Sequence, residues 1–224
     1  MQIFDIQGIR IGATGRSDAA RICYVLSPFD DLGEWAEEAA GRYGLAIAVV
    51  SQMDWDNDLT PWPAKGVPAG SPDFEGRAPE FLKLLTDTIV PAVERRLVIS
   101  RGTERTLCGV SLSGLFTLWQ WLLCDEFQNI ISLSGSFWYE GFASWVESRA
   151  VPAGKGHAYF LLGNKEAQSP VPQFRPVQTD TEAIVNYLKA KGISATFELV
   201  PGNHYQNALP RLDRAFTRMF AANG

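Results

Sequence analysis

The sequence predicts an α/β fold: a mainly parallel sheet with an antiparallel N-terminal edge and helices on both faces. Three observations carry that prediction. Short apolar runs, of the kind found in strands buried on both faces, alternate with amphipathic helical stretches along the whole chain. Residues 2–16 alternate apolar with polar and break at Gly8 and Gly12, the pattern of a hairpin at a sheet edge. Residues 105–123 read as a strand, a sharp serine turn and an apolar helix.

The elements follow in order. Arg21 to Ser27 is a buried strand ended by Pro28, and Leu32 to Tyr43 is a helix with Trp35, Ala39 and Tyr43 on one face and Gly44 as its stop. Leu45 to Val50 is the next strand. Residues 51–78 have no regular period and hold Trp55, Trp62, four prolines and a run of acids. A loop this long inside a compact domain is commonly functional, though it can also be a surface loop pinned by its tryptophans. Pro79 opens a helix with Phe81, Leu84, Leu85, Ile89 and Val93 inward, and Pro91 should kink it. After the serine turn come a strand from Asn129 to Ser134, a short helix from Phe142 to Val151 and a strand over Ala158 to Leu162 ending at Gly163. Thr179 and Glu182 have capping-box spacing for a helix running to Gly192. Ile193 to Val200 is the last strand. Asn207 to Phe220 is the last helix, with Leu209, Leu212, Phe216 and Met219 or Phe220 inward.

At 224 residues the chain suits one domain, residues 1–224, without a large cap. Its 46% hydrophobic and 20% charged content is ordinary for a globular protein. A net charge of −5 and the lack of a basic cluster argue against nucleic acid as a partner. Cys23, Cys108 and Cys124 sit in apolar stretches without C-x-x-C spacing and read as reduced core residues. Cysteines and histidines do not cluster, so no metal is expected, and phosphate-cradling glycine motifs are missing, so no cofactor is expected. No signal-peptide pattern or membrane-length apolar run is seen, which points to the cytoplasm and away from a membrane. A homo-oligomer is compatible with all of this.

Ser111 is the best candidate nucleophile. A serine on a strand-to-helix turn is held at an unfavourable backbone angle so that its hydroxyl projects clear of the sheet. The residues two before and two after must be small, and Gly109 and Ser113 fill those places. The usual second residue is glycine, but serine is small enough to fit. Ser113 is a poorer candidate because Leu115 is bulky. Ser134 has small neighbours, but Phe137 to Gly141 is a poor helix start. A structural glycine- and serine-rich turn is the plain alternative, so the case depends on a base and an acid.

There are two histidines. His157 lies at the amino end of a strand. His204 follows the last strand, on the carboxyl side that Ser111 shares, where sites of parallel sheets lie. In folds with a serine at such a turn, the acid lies between serine and histidine along the chain. Glu166, in the turn after Gly163, is preferred over Asp180, which a place near a helix start already explains. A histidine takes the serine proton near neutral pH, and a carboxylate on its far nitrogen fixes the tautomer. The oxyanion needs backbone donors. Leu112 should give one and Phe29 the other, with Asp30 next. Asp30 and Asp31 are unfavourable neighbours for an oxyanion unless they point away.

Gly109 to Phe116, Ser132 to Trp138, Leu162 to Glu166 and Pro201 to Tyr205 together resemble the α/β-hydrolases of the putative-esterase, esterase-D-like family, which includes siderophore esterases. Asp54 to Pro63 resembles a tryptophan-proline loop of small bacterial members. The resemblance covers nearly the whole chain. It implies a serine esterase with Ser111 as nucleophile, Glu166 as acid and His204 as base. Some siderophore esterases work with serine and histidine alone, so the need for Glu166 is open.

The expectation is a carboxylic-ester hydrolase acting on a small-molecule ester through an acyl-enzyme. Trp55, Trp62, Trp138 and Tyr205 are candidate substrate contacts. The aromatic residues suit an aryl or bulky apolar group, and the lack of a basic cluster counts against a catecholate siderophore. Two alternatives stand: a non-catalytic ligand- or partner-binding protein of hydrolase fold, and an acyltransferase using the same acyl-enzyme.

Overall fold

The computed structural model describes residues 1–221 apart from Arg101 and Ala153. Eight strands form one sheet: β1 (Gln2–Ile6), β2 (Ile9–Thr14), β3 (Arg21–Leu26), β4 (Ala46–Ser51), β5 (Glu104–Val110), β6 (Asn129–Leu133), β7 (His157–Gly163) and β8 (Ser194–Val200). Their spatial order is β1-β2-β4-β3-β5-β6-β7-β8. β1 and β2 are antiparallel, as the alternation of residues 2–16 predicts, and β2 also runs antiparallel to β4. From β4 to β8 every pairing is parallel.

The helices are α1 (Gly33–Tyr43), α2 (Ala78–Leu84), α3 (Val90–Leu97), α4 (Leu112–Trp121), α5 (Phe142–Glu147), α6 (Val177–Ala190) and α7 (Ala208–Phe220). Right-handed crossovers decide their faces. The step from β3 to β4 runs toward the β1 edge and carries α1. Every later step runs the other way, so α2 to α6 lie on the opposite face. The two cores follow this division. Trp35, Ala39, Leu212 and Phe216 of α1 and α7 pack with Cys23, Val25 and Ile47 on one face. Phe81, Leu115, Phe116, Phe142 and Ile184 pack with Ile22, Tyr24 and Leu26 on the other. Successive β3 residues thus point to opposite cores, which is why the strand is apolar throughout. α7 is stapled to α1 by the edge-to-face pair Trp35 and Phe216, 4.8 Å apart, and by the Trp35 indole donating to Asp213 at 2.8 Å.

The chain reverses its direction of growth between β3 and β5. Ligands of parallel sheets bind at such a switch point, outside the carboxyl ends of the strands. The turns after β3, β5, β7 and β8 all open there.

Some expected details are corrected. No capping box forms at Thr179. Helix α6 starts at Val177, two residues earlier, and the Thr179 hydroxyl donates to the Pro176 carbonyl at 2.8 Å. Burial of Val177 draws the start of the helix inward. α5 ends at Glu147 rather than Val151. The run around Pro91 is relieved by a π-turn over Leu85–Ile89 directly before it, where a wider turn accommodates a residue that lacks an N–H. Leu84 is only half-buried. Leu209 faces outward and is 44% exposed, while Arg211 occupies the inward position of α7.

Candidate functional site

Strand β5 delivers Ser111 at the head of α4, with φ 56° and ψ −121°. A non-glycine residue in such a conformation costs on the order of 1–3 kcal/mol and persists only where its surroundings enforce it. Here they do. A Cβ on Gly109 would fall on the Ser113 carbonyl, so the small-residue requirement of the turn is a direct steric fact. Ser113 does more than fit. Its buried hydroxyl accepts the Val110 N–H at 2.7 Å and lies 3.0 Å from the Leu26 carbonyl and 2.8 Å from that of Val110. The serine that departs from the usual glycine ties the turn to itself and to β3. Ser136 holds Ser111 from the other side. Its N–H donates to the Ser111 carbonyl at 3.0 Å, and the two hydroxyls lie 3.3 Å apart.

His204, in the turn between β8 and α7, places Nε2 3.1 Å from Ser111 Oγ. Its Nδ1 lies 2.9 Å from Glu166 Oε2. The three residues predicted from chain order therefore meet. Asp180, the rival acid, is inside α6 and half-buried, and its carboxyl is raised by that burial. His157 sits at the amino end of β7 against Ser194 at 2.7 Å, with its pKa lowered by burial.

Glu166 is buried, and its second oxygen is fully engaged. Oε1 accepts from Ser134 Oγ at 2.7 Å, from the Gly163 N–H at 2.7 Å and from Arg211 Nη1 at 2.9 Å. Burial alone would raise this carboxyl. The bonds from His204, Ser134 and the Gly163 N–H outweigh it and hold the pKa below its ordinary value. Ser134, with φ 48° at the end of β6, is a support of the acid. Gly163 must be glycine because a Cβ there would meet Glu166, Arg211 and the Gly202 carbonyl.

Sequence reasoning missed Arg211, Ser134 as a partner of the acid, and Ser136. The signal for Arg211 was present: it shares the buried stripe of α7 with Leu212, Ala215 and Phe216.

The two expected oxyanion donors differ. Leu112 is the first residue of α4, so its N–H falls outside the helical ladder and at the positive end of the helix. The Phe29 N–H donates to Ser27 Oγ at 3.0 Å. The Asp30 carboxylate is turned to Gln52 Nε2 at 2.6 Å, which answers the expected conflict at that residue.

Two clefts of about 330 Å³ flank Ser111 and His204. Trp55 and Tyr205 line both, Phe29 lines the first and Trp138 the second. Trp62 is placed elsewhere. Its indole donates to the Glu140 carbonyl at 3.0 Å, and its ring packs among Tyr139, Phe142 and Trp145. It pins the 51–78 loop to the segment after β6, as does the Tyr139 hydroxyl donating to the Trp62 carbonyl at 2.5 Å.

Among the described residues no cluster of histidine, cysteine or acidic side chains could hold a metal ion, and no helix is long and apolar enough to cross a membrane. The three cysteines are unpaired.

Residues 31–217 match the model of a family described as "Putative esterase". The chain belongs to that family. It is 28% identical over 173 residues to the uncharacterized protein YbbA of Bacillus subtilis, covering 75% of this chain and 69% of that one. Its fold is similar to that of the siderophore hydrolase EstA of Aspergillus nidulans, with a TM-score of 0.74 at 18% identity over 96% of this chain and 91% of EstA. An IroE-like serine hydrolase from Shewanella oneidensis matches with a TM-score of 0.74 at 17% identity, covering 95% of this chain and 75% of that chain. The architecture is the α/β-hydrolase fold, and membership of this esterase family supports ester hydrolysis of small molecules.

Proposed function

We infer that this family member hydrolyses carboxylic esters through an acyl-enzyme on Ser111. One observation carries the reading: the chain of contacts from Ser111 Oγ through His204 to a buried, ionised Glu166, built on a strained turn.

In this mechanism Ser111 Oγ attacks the ester carbonyl carbon while His204 Nε2 takes its proton. Glu166 on Nδ1 fixes the tautomer and stabilises the imidazolium. The oxyanion is met by the N–H of Leu112, and by that of Phe29 once it exchanges its bond to Ser27 for the substrate oxygen. The intermediate collapses, the carbon–oxygen bond to the alcohol breaks, and His204 returns the proton to the departing oxygen. Water then attacks the acyl-enzyme with His204 as base, which releases the acid and restores Ser111. Trp55, Trp138 and Tyr205 border the bound ester. Siderophore hydrolysis is a property of the neighbours and is not carried over at their identity. The three free cysteines suit a reducing compartment, so a cytoplasmic location belongs to the same proposal.

The test is intact mass after fluorophosphonate treatment, followed by an ester panel. A single adduct on Ser111, abolished in Ser111→Ala and sharply slowed in His204→Ala, is expected together with turnover of simple esters. Folded protein that takes no adduct would sink the reading and favour a non-catalytic binding role. Faster product formation with an added alcohol or thiol, without faster acid release, would favour acyl transfer.

A further inference from the structure

The two clefts beside Ser111 are of equal size but different chemistry. The first lies between the carboxyl ends of β3, β5 and β6 and the start of α7. Its walls are mostly aliphatic, with Leu26, Val110, Leu133, Leu209 and Leu212, and the aromatic Phe29, Trp55 and Tyr205 stand among them. Most of the hydroxyl and charged groups that reach it, apart from Ser111 and His204, are engaged within the protein: the Ser27 hydroxyl with the Phe29 backbone, and Ser134 and Arg211 Nη1 with Glu166. Tyr205, 86% exposed, carries its hydroxyl at the surface. A polar substrate group buried among the aliphatic residues would lose its water and gain few partners.

The second cleft runs under the 51–78 loop and the segment after β7. Its walls are aromatic, with Phe74, Trp138 and Phe174, and Val67 and Val171 between them. The Trp138 and Phe174 rings are 4.5 Å apart and tilted by 46°. An aromatic ring gains from offset or edge-to-face neighbours beyond the area it buries. Arg211, bound to Glu166, is the one cationic side chain lining either cleft among the described residues, and Asp56 stands exposed on the second. An anionic group would enter without a counter-charge.

We propose that the substrate is an uncharged ester with one aliphatic and one aromatic side. The aliphatic chain lies between the strand ends and α7, and the ring lies against Trp138 and Phe174. The proposal rests on the esterase reading and adds the substrate class.

Four esters test it: phenyl hexanoate, hexyl benzoate, hexyl hexanoate and phenyl benzoate. The ester carbonyl fixes which cleft takes the acyl part, so cleft preference is read across cleft variants, where the intrinsic reactivity of each ester cancels as in a double-mutant cycle. The loss of kcat/KM in Leu209→Asp should be about tenfold larger for the hexanoates than for the benzoates, equivalent to about 1.4 kcal/mol, and the loss in Trp138→Ala should be larger for the phenyl than for the hexyl esters. Equal losses across the four esters overturn the proposal. Phenyl acetate, which lacks the chain, should lose less than phenyl hexanoate in Leu209→Asp, and ethyl hexanoate, which lacks the ring, should lose less than phenyl hexanoate in Trp138→Ala. A carboxyl group on the ring of phenyl hexanoate should cost about tenfold, and no loss would overturn the exclusion of charge. Fluorophosphonate separates the two levels. Labelled Ser111 and turnover of simple esters without these differences remove the substrate class alone. Failure to label Ser111, or to turn over any ester, removes the esterase reading with it.

Discussion

Arg211 Nη1 donates to Glu166 Oε1 at 2.9 Å, the carboxylate oxygen that His204 does not use. The same nitrogen reaches Ser134 Oγ at 2.9 Å, and Nη2 donates to the Asn203 carbonyl at 2.7 Å. One guanidinium thereby joins the turns after β6, β7 and β8. Those turns carry a support of the acid, the acid itself and the histidine. Both side chains are buried, with 5% and 3% of their surfaces exposed. A guanidinium presents fixed donors from separate nitrogens to acceptors on different turns, whereas a lysine offers its donors from a single point.

Arg211→Met should therefore do two things. It leaves a buried carboxylate short of its counter-ion, and breaking such a pair costs about 3–5 kcal/mol, readable in urea unfolding. It also frees the His204 turn, so fluorophosphonate labelling of the folded variant should slow about tenfold or more. Arg211→Lys should not restore the labelling rate. Unchanged labelling in folded Arg211→Met would reduce the arginine to a structural role.

The acid has a pH signature. Its folded pKa lies below the ordinary value, so folding favours the charged form. The stabilisation is complete above the unfolded carboxylate value of about 4.3, and it fades as pH falls through the lower folded value. Glu166→Gln keeps the shape and removes the charge. Wild type should exceed this variant in urea midpoint near neutral pH, and the gap should close as the solution is made more acid than the unfolded value. A gap that stays constant into that acid range would show that the carboxylate is not the source.

The strands, the turn at Ser111 and the Ser–Glu–His order were legible because each rests on local pattern: apolar runs, small residues at fixed offsets, and one histidine at the right end of a strand. Arg211 was not, because the stripe through Leu212, Phe216 and Phe220 fits helical spacing equally well with Leu209 or with Arg211 on its flank, and hydrophobicity favours the leucine. Trp62 was misplaced for a different reason. Composition shows that a loop holds tryptophans, but only tertiary contact shows which of them face the site and which pin the loop to Tyr139 and Phe142.

Ser113→Gly restores the residue more usual at such turns, and it should nevertheless destabilise this protein. The Val110 N–H and the Leu26 carbonyl lose a buried partner. A net hydrogen bond is worth about 1 kcal/mol, and glycine in a helical first turn adds about 0.5–1 kcal/mol of backbone entropy. A lower urea midpoint is the expected result, and a stabilised variant would show that the hydroxyl is merely tolerated.

Ser136→Ala separates the two ways in which this residue touches the nucleophile. The backbone bond from its N–H to the Ser111 carbonyl survives the substitution, so the turn should keep its conformation and the fold most of its stability. What disappears is the buried hydroxyl 3.3 Å from Ser111 Oγ, which restricts where that oxygen sits relative to His204. Ester turnover should fall by about threefold to tenfold in kcat, about 0.7–1.4 kcal/mol, with KM little changed because the clefts are untouched. A rise in KM at constant kcat would place Ser136 in substrate binding rather than in the positioning of Ser111.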